Sequence, residues 1–472
     1  NEPNPLGYND GLFLIRSWCS QFIVGDNFTS EAYTIGERIS NAVIFFQVHK
    51  KSIPEDIHSV LGLFSRQVVE KIEYFSHGLT GNHAFNNARA LYLFSDRINY
   101  ADLRKFAIIV FKERLPNLVS EFGFMTEGSS HYHFLFTRWV LELIWKARST
   151  DDKEVLQLLN PLAKKLIKNC WSFLTYGNRS KNWQIPIIGD ISPDCSPQWL
   201  ISLPWSILAS SLYKPRFIPK PPEYMGWSKL FGGIVAHNIK SGTLKSNFSS
   251  NCGWNRTEMA GWTLFSYAPS NNGHMKSSHA HLDLCSFALY YLGDPIIIDV
   301  GRFDYTNSSL GRYGRSGEAH SSLTIDGLSP QVDNKFWMNP SYVKIFPKVI
   351  IDKKKSEIHI TIYHDGFKRR ICKKLSHKRQ FVISKKSLIV YDFIEGNGKI
   401  TVSNFFNFGQ GIVLRKSQKR KLFFSNGMIF FKDINSNNVK KDNQKDRNSE
   451  WSHTSYGIRF PIERIELKTK IS

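Results

Sequence analysis

Residues 273–327 read GHMKSSHAHLDLCSFALYYLGDPIIIDVGRFDYTNSSLGRYGRSGEAHSSLTIDG, and the rest of the chain is read outward from them. Phe287 to Tyr291 and Ile296 to Ile298 are two apolar runs separated by Gly293-Asp294-Pro295, the pattern of two short strands and a turn. His279 and His281 precede the first run, Asp299 ends the second, and His320 precedes Leu323-Thr324-Ile325 and the Asp326-Gly327 turn signal. Such a hairpin brings His281, Asp299 and His320 together. Two imidazoles and a carboxylate suit one divalent cation with a structural task, zinc first, calcium or manganese as alternatives. A metal-free hydrogen-bonded cluster is the competing expectation. Residues two apart on a strand share a face, so His279 and His281 need a bend between them to serve different partners.

A chain of 472 residues exceeds one ordinary core, and two domains are expected. Sixty-two Lys and Arg against 40 Asp and Glu give a formal charge of +22, which draws polyanions. Zinc-finger spacing, RNP-like aromatics and a Walker loop are missing, so nucleic acid has charge alone in its favour and is not expected. The six cysteines are scattered without a C-x-x-C and imply no disulfide framework. No apolar run is long enough to span a membrane. A periplasmic or secreted location is expected if a leader was removed, a cytoplasmic one otherwise.

Up to about residue 215 the apolar spacing is helical. His58 to Phe75 carries Leu61, Phe64, Val68, Ile72 and Phe75 on one stripe. Phe134 to Ala147 and Glu154 to Phe173 repeat the rhythm, with a break or kink expected at Pro161. Lys214 to Pro222 (KPRFIPKPP) reads as a linker. After it come strand-like runs at 262–267, 358–363, 381–383, 387–393 and 399–408, the pattern of a stacked antiparallel β domain. Asn435 to Ser449 is polar and reads as an exposed loop.

Two polar patches stand out in the helical half. Gly81-Asn82-His83 begins a helix with Asn82 as a natural cap, and Glu127 to His133 (EGSSHYH) opens another with a serine cap. Together with residues 279–327 they form an ordered set. H-A-H-x-D, G-x-P, D-x-G and R-S-x-x-A-H resemble the signature of the heparinase II/III-like polysaccharide lyases. Gly81–His83 and Glu127–His133 are similar to that family's G-N-H and E-x-S-x-x-Y-H motifs. Gln184 to Asp190 is similar to its P-x-x-G-D segment, and Trp451 to Gly457 to its closing strand.

The resemblance implies an α+β multidomain chain: an incomplete (α/α) toroid over 1–215, then an antiparallel β-sandwich domain over 216–472. It implies cleavage of a uronic-acid-containing anionic polysaccharide by β-elimination. Asn82, helped by His83, would neutralise the substrate carboxylate. Tyr132 and His279 would share the proton transfers, a phenol suiting either task if cationic neighbours lower its pKa. Arg312 and Arg315, in a Gly-rich turn, would clamp carboxylate or sulfate, or be plain surface cations. Some members carry a catalytic tyrosine where this chain has Phe303, and Tyr305 lies two residues on as a lesser candidate at the substrate. Asp190 would hold a catalytic side chain or close a turn. A glycoside hydrolase, which wants two carboxylates at its cleft, and a non-catalytic polysaccharide-binding protein are the alternatives. The polymer, endo or exo action and oligomeric state stay open.

Overall fold

The computed structural model describes residues 7–22, 31–75, 80–95, 100–205, 227, 230–231, 248–249, 253–268, 279–332, 345–371, 375–418, 421–424, 427–430, 439–441, 451–455 and 458–471. The expected linker at 214–222 lies outside them.

The chain divides into two compact units, and the division is not sequential. The first takes residues 1–126, 133–170 and 202–243; the second takes 127–132, 171–201 and 244–472.

The first unit is helical: α1 (Tyr8–Phe22), α2 (Ala32–Val48), α3 (Glu55–Glu70), α4 (Asn82–Phe94), α5 (Ala101–Leu118), most of α6 (Ser130–Ser149) and of α7 (Lys153–Phe173). Consecutive packing follows the stripes: α2 lies on α3 and α4, and α4 on α5. Leu61, Phe64 and Val68 are buried as the period requires. The helix stops at Glu70, however, and Phe75 at the end of the expected stripe is exposed. The expected break at Pro161 does not occur, since α7 runs through it. Pro161 and Gln157 are both exposed, so the carbonyl that proline leaves without a partner can turn to water. No described helix is long and apolar enough to cross a membrane.

Inside this unit Arg89, Arg138, Glu37 and Glu142 form a buried ion quartet, with contacts from 3.0 to 3.5 Å. His133 is buried as well. Its Nδ1 accepts from the Met125 N–H (3.3 Å) and its Nε2–H donates to the Leu166 carbonyl (3.1 Å). Burial lowers its pKa from 6.5 to about 4. A second proton would face Nδ1 toward a donor, so the neutral ring is the folded form. Because the folded pKa lies below the unfolded one, this contribution is full above pH 6.5 and lost as pH falls toward 4. His133→Gln is therefore expected to be destabilised at pH 7, with the gap to the parent protein shrinking by about 3 kcal/mol on acidification to pH 4. Urea unfolding at both pH values measures it, and a gap independent of pH would contradict the neutral-ring assignment.

The second unit is built mainly of antiparallel strands. β1 (Thr175–Tyr176) pairs with β2 (Trp183–Gln184), and a single turn, α8 (Pro197–Leu200), follows. β3 (Phe248–Ser249), β4 (Trp254–Met259), β5 (Trp262–Tyr267), β6 (Phe287–Tyr291) and β7 (Asp294–Ile297) make a five-stranded meander. The β6–β7 turn sits one residue earlier than the sequence predicts, at Leu292 (φ 51°) and Gly293 (φ 78°). Two successive left-handed residues make the reversal whose twist suits a hairpin. A short helix, α9 (Ser309–Arg315), and β8 (Leu323–Ile325) come next.

β9 (Lys348–Lys353), β10 (Glu357–His364), β11 (Ser376–Ser384) and β12 (Leu388–Glu395) form a four-stranded sheet in the order β12-β11-β10-β9, with α10 (Gly366–Arg370) between β10 and β11. β13 (Ile400–Asn407), β14 (Leu414–Gln418), β15 (Lys421–Phe424), β16 (Gly427–Phe430), β17 (Val439–Lys441), β18 (Trp451–Ser455), β19 (Ile458–Pro461) and β20 (Arg464–Ile471) complete the unit. β17, β20, β13 and β8 are one sheet in that order. The segment expected to be only loop, 435–449, thus contributes β17, because Val439 to Lys441 pair with Ile465 to Leu467. The core is a stack of sheets: Leu264, Phe287 and Leu289 meet Ile358, Ile360, Ile362, Phe381 and Ile383, with Ile465 and Leu467 beside them. Alternation along β10 decides this, its even-numbered residues facing inward.

Candidate active site and metal centre

Three segments of the second unit meet around Asp190. The Ser130 N–H donates to the Ile188 carbonyl (3.0 Å), and the His279 N–H to the Glu127 carbonyl (3.0 Å). Asp190 N–H donates to the His279 carbonyl (2.9 Å), and Ser129 Oγ to the Asp190 carbonyl (2.7 Å). The Tyr132 N–H in turn donates to Ser129 Oγ (3.1 Å), so Ser129 caps α6 as the sequence predicts. Gly189 makes the junction possible. Its φ is +79°, and an added Cβ would stand 2.5 Å from the Gly128 oxygen and 2.7 Å from the His279 oxygen.

The Asp190 carboxylate is the hub. Oδ2 accepts from His279 Nδ1 (3.0 Å); Oδ1 accepts from His281 Nε2 (2.8 Å) and from the Arg302 guanidinium (3.2 Å). Burial pushes this carboxyl up, but the two imidazole hydrogen bonds outweigh it and hold it well below the usual range. Asp190 therefore does more than close a turn: it holds two imidazoles and a guanidinium in place. Because a carboxylate only accepts, His279 carries its proton on Nδ1 and its lone pair on Nε2. Glu127 Oε2 lies 3.6 Å from that Nε2, beyond hydrogen-bond range.

The Tyr132 ring stacks on His279, with centroids 3.6 Å apart and planes at 16°. Its hydroxyl is 3.2 Å from that of Tyr305, which itself donates to the Ile191 carbonyl (3.0 Å). Tyr132 is therefore the donor to Tyr305. Burial, and then the charge of Asp190, push both phenols far above their ordinary pKa. The expected lowering by cations does not occur, because the only charge that dominates beside Tyr132 is negative. Tyr132 is a proton donor in the free protein. Phe303 is buried among Val300, Ala319 and Ile462, whereas Tyr305 reaches the tyrosine–histidine pair with the Arg302 guanidinium 4.7 Å over its ring. Sequence reasoning passed over Arg302, which sits directly before Phe303 and gave no signal of its own.

Arg312 and Arg315 occupy α9 rather than a turn. Arg312 is exposed and donates to the Asn307 carbonyl (2.5 Å), and the Arg315 carbonyl accepts the Leu282 N–H (2.8 Å). Asn82 and His83 belong to the helical unit. Gly81, not Asn82, holds the cap position of α4, and Asn82 is its buried first residue. His83 pairs through Nδ1 with Glu73 (2.8 Å) and lies against the Tyr33 ring at 4.4 Å. Glu73 and Tyr33 carry no motif in the sequence and emerge only from the packing.

Among the described residues two groups could hold a metal ion: His281, Asp299 and His320, and Cys285, His364 and His377. Tautomers separate them. In the first, the His320 Nε2–H donates to the Gly314 carbonyl (2.9 Å), and Nδ1 faces the Asp299 carboxylate at 3.1 Å. His281 gives its Nε2–H to Asp190, and its buried Nδ1 has no hydrogen-bond partner among the described residues. The two rings stack at 4.5 Å. Each imidazole thus has its outer nitrogen fixed by an acceptor and its inner nitrogen turned into the cluster, the arrangement of oriented metal ligands. Burial alone would lower the His320 pKa, but Asp299, aided by Asp283, raises it to about 9.

The second group closes on itself. The Gly366 N–H donates to His364 Nδ1 (3.2 Å), the His364 Nε2–H to His377 Nδ1 (3.0 Å), and the His377 Nε2–H to Asp392 (2.7 Å). Arg379 grips the same carboxylate at 2.8 and 3.0 Å. Burial pushes the Cys285 thiol up, away from the thiolate a metal needs. This chain of neutral imidazoles already uses every nitrogen. No spacing in the sequence announces it, because strand register places His364 opposite His377.

The structure resembles solved polysaccharide-degrading enzymes. It superposes on a heparinase III with a TM-score of 0.67 at 16% identity, covering 97% of this chain and 71% of that one. A second heparinase III gives 0.64 at 13%, covering 97% and 72%. The heparan sulfate lyase HepC from Pedobacter heparinus gives 0.55 at 16%, covering 97% and 70%. Identities this low establish the fold and leave substrate aside. No protein in the curated set matches by sequence. Residues 242–470 match the model of the heparinase II/III-like C-terminal domain. That match spans the metal-type cluster and the H-A-H-x-D segment, and it identifies residues 242–470 as similar to a heparinase II/III-like C-terminal domain, on a chain whose fold is shared with the heparinase III structures.

Proposed function

We propose that the protein is a polysaccharide lyase that cleaves a uronic-acid-containing anionic polysaccharide by β-elimination. The observation that carries this reading is the Tyr132–His279–Asp190 arrangement: a phenol held protonated, stacked on an imidazole whose lone pair Asp190 directs to Nε2. His279 Nε2 takes the C5 proton, and the carbon–hydrogen electron pair forms the C4–C5 double bond. The C4–O4 bond breaks with its electrons on the oxygen, which takes the Tyr132 proton. Glu127 and Asp190 then face a cationic imidazole. Asn82 and His83 are the proposed donors to the substrate carboxylate, where one such donor is worth about a hundred- to a thousandfold in rate. Arg312 and Arg315 are proposed to bind the polymer's anionic groups. A hydrolase wants two working carboxylates, and Asp190 is already committed to two imidazoles and a guanidinium.

The proposed cofactor is one structural divalent ion, zinc first, on His281, Asp299 and His320. It would pin the 281, 299 and 320 segments and so steady Asp190 through His281. A panel of uronic-acid polysaccharides (heparan sulfate, hyaluronan, alginate, bacterial capsule) is expected to yield new absorbance in the unsaturated-uronate band with at least one member. Its KM should rise steeply with salt, as counterion release demands. Reducing ends appearing without that absorbance would replace the lyase reading with hydrolysis.

A further inference from the structure

The β9–β12 sheet turns one face to the core and leaves the other to solvent. Pairing places Lys348, Tyr363, Lys378 and Phe393 in one row across the four strands. The next row holds Ile350, Thr361, Gln380 and Tyr391. At a strand spacing of about 4.8 Å, each row is about 15 Å long. Tyr363 and Tyr391 are both 41% exposed and Phe393 is 40% exposed, high values for aromatic residues in mid-strand. Tyr391 and Phe393 are ring neighbours, with centroids 6.0 Å apart and planes at 29°. The Lys378 ammonium stands 4.2 Å over the Phe393 ring, and Gln380 Nε2 donates to Thr361 Oγ1 (3.1 Å), so the rows are ordered.

We propose that this face is a docking platform for an anionic polysaccharide chain, additional to the Tyr132 cluster, to which none of its residues belongs. The proposal rests on the reading above only in naming the polymer class. Flat rings offer a surface for the apolar faces of sugars, while Lys348 and Lys378 supply cations in the same row. The two rows contain no acidic residue. On the same face Glu357 is paired with His359 at 3.0 Å, and Asp352 and Glu395 stand outside those rows. A second copy of the chain fits less well, because lysine is depleted at protein interfaces and here it stands among the rings.

Affinity electrophoresis of the full chain through gels of alginate, hyaluronan or heparin tests the platform. The parent protein is expected to be retarded by at least one polymer. Tyr391→Ala combined with Phe393→Ala should weaken that retardation about tenfold, with unchanged thermal unfolding. Lys378→Ala should reduce its salt dependence. Turnover of a short unsaturable oligosaccharide by the double variant should stay at the parental rate. Undiminished retardation of the double variant, or no retardation of the parent, overturns the proposal. So does sedimentation showing that the substitutions split a parental dimer. Retardation without any elimination product would sink the lyase reading while leaving the platform standing.

Discussion

Tyr132→Phe is expected to lose about a thousandfold in elimination rate while binding polymer as the parent does. The substitution keeps the ring, and with it the 3.6 Å stack that positions His279. It removes only the hydroxyl, the proposed source of the proton for the leaving oxygen. Burial and the neighbouring Asp190 charge keep that proton in place, which supports the proposed role of acid, and no other described side chain occupies its position. Tyr305 does not replace it, since its own proton is given to the Ile191 carbonyl. Initial rates by ultraviolet absorbance, set beside gel retardation, separate chemistry from binding. A variant within about tenfold of the parental rate would return the acid role to Tyr305 or to water.

How much of this was legible follows from where the information lies. Helical stripes and strand alternation report burial on one face, and Leu61, Phe64 and Val68 or the inward residues of β10 appear as expected. Pro161 misled because periodicity says nothing of which carbonyl loses its partner, and here that carbonyl faces solvent. The metal-type triad was readable since its members flank a hairpin and thus lie close in the chain's own order. Asp190 was weighed but not given its role, because no local spacing shows that it meets His279 and His281, eighty-nine and ninety-one residues away. The same holds for the protonation of Tyr132. Residue types suggested a phenol tuned by cations, whereas its pKa direction is set by burial and a carboxylate from another segment. The outer face of the β9–β12 sheet had no motif at all; only cross-strand register gathers its rings and lysines.

Protein prepared without chelator is expected to hold about one equivalent of a divalent metal, and binding to the stripped protein should release about one proton at pH 7. The argument is electrostatic. Without metal, His320 gives its Nε2–H to Gly314 and faces Asp299 with Nδ1, where a lone pair against a carboxylate would repel. A proton resolves the conflict, and the His320 pKa is accordingly raised to about 9. A cation resolves it too, and also satisfies Nδ1 of His281, which a proton on His320 does not. Metal and proton therefore compete for one place. Below the raised pKa the proton must leave, so apparent affinity should climb about tenfold per pH unit from 7 until the pH passes about 9, then level off. Calorimetry in buffers of different ionisation enthalpy counts the proton. His281→Ala removes one ligand and should lower the unfolding temperature by about 10 °C, the scale of several kcal/mol in a unit of this size. Chelation should lower the parent by less, because the variant also loses the His281–Asp190 hydrogen bond, and should lower the variant no further. Less than about a tenth of an equivalent of metal, with chelator leaving the parent unchanged, would instead make the imidazolium–carboxylate pair of His320 and Asp299 the resting structure.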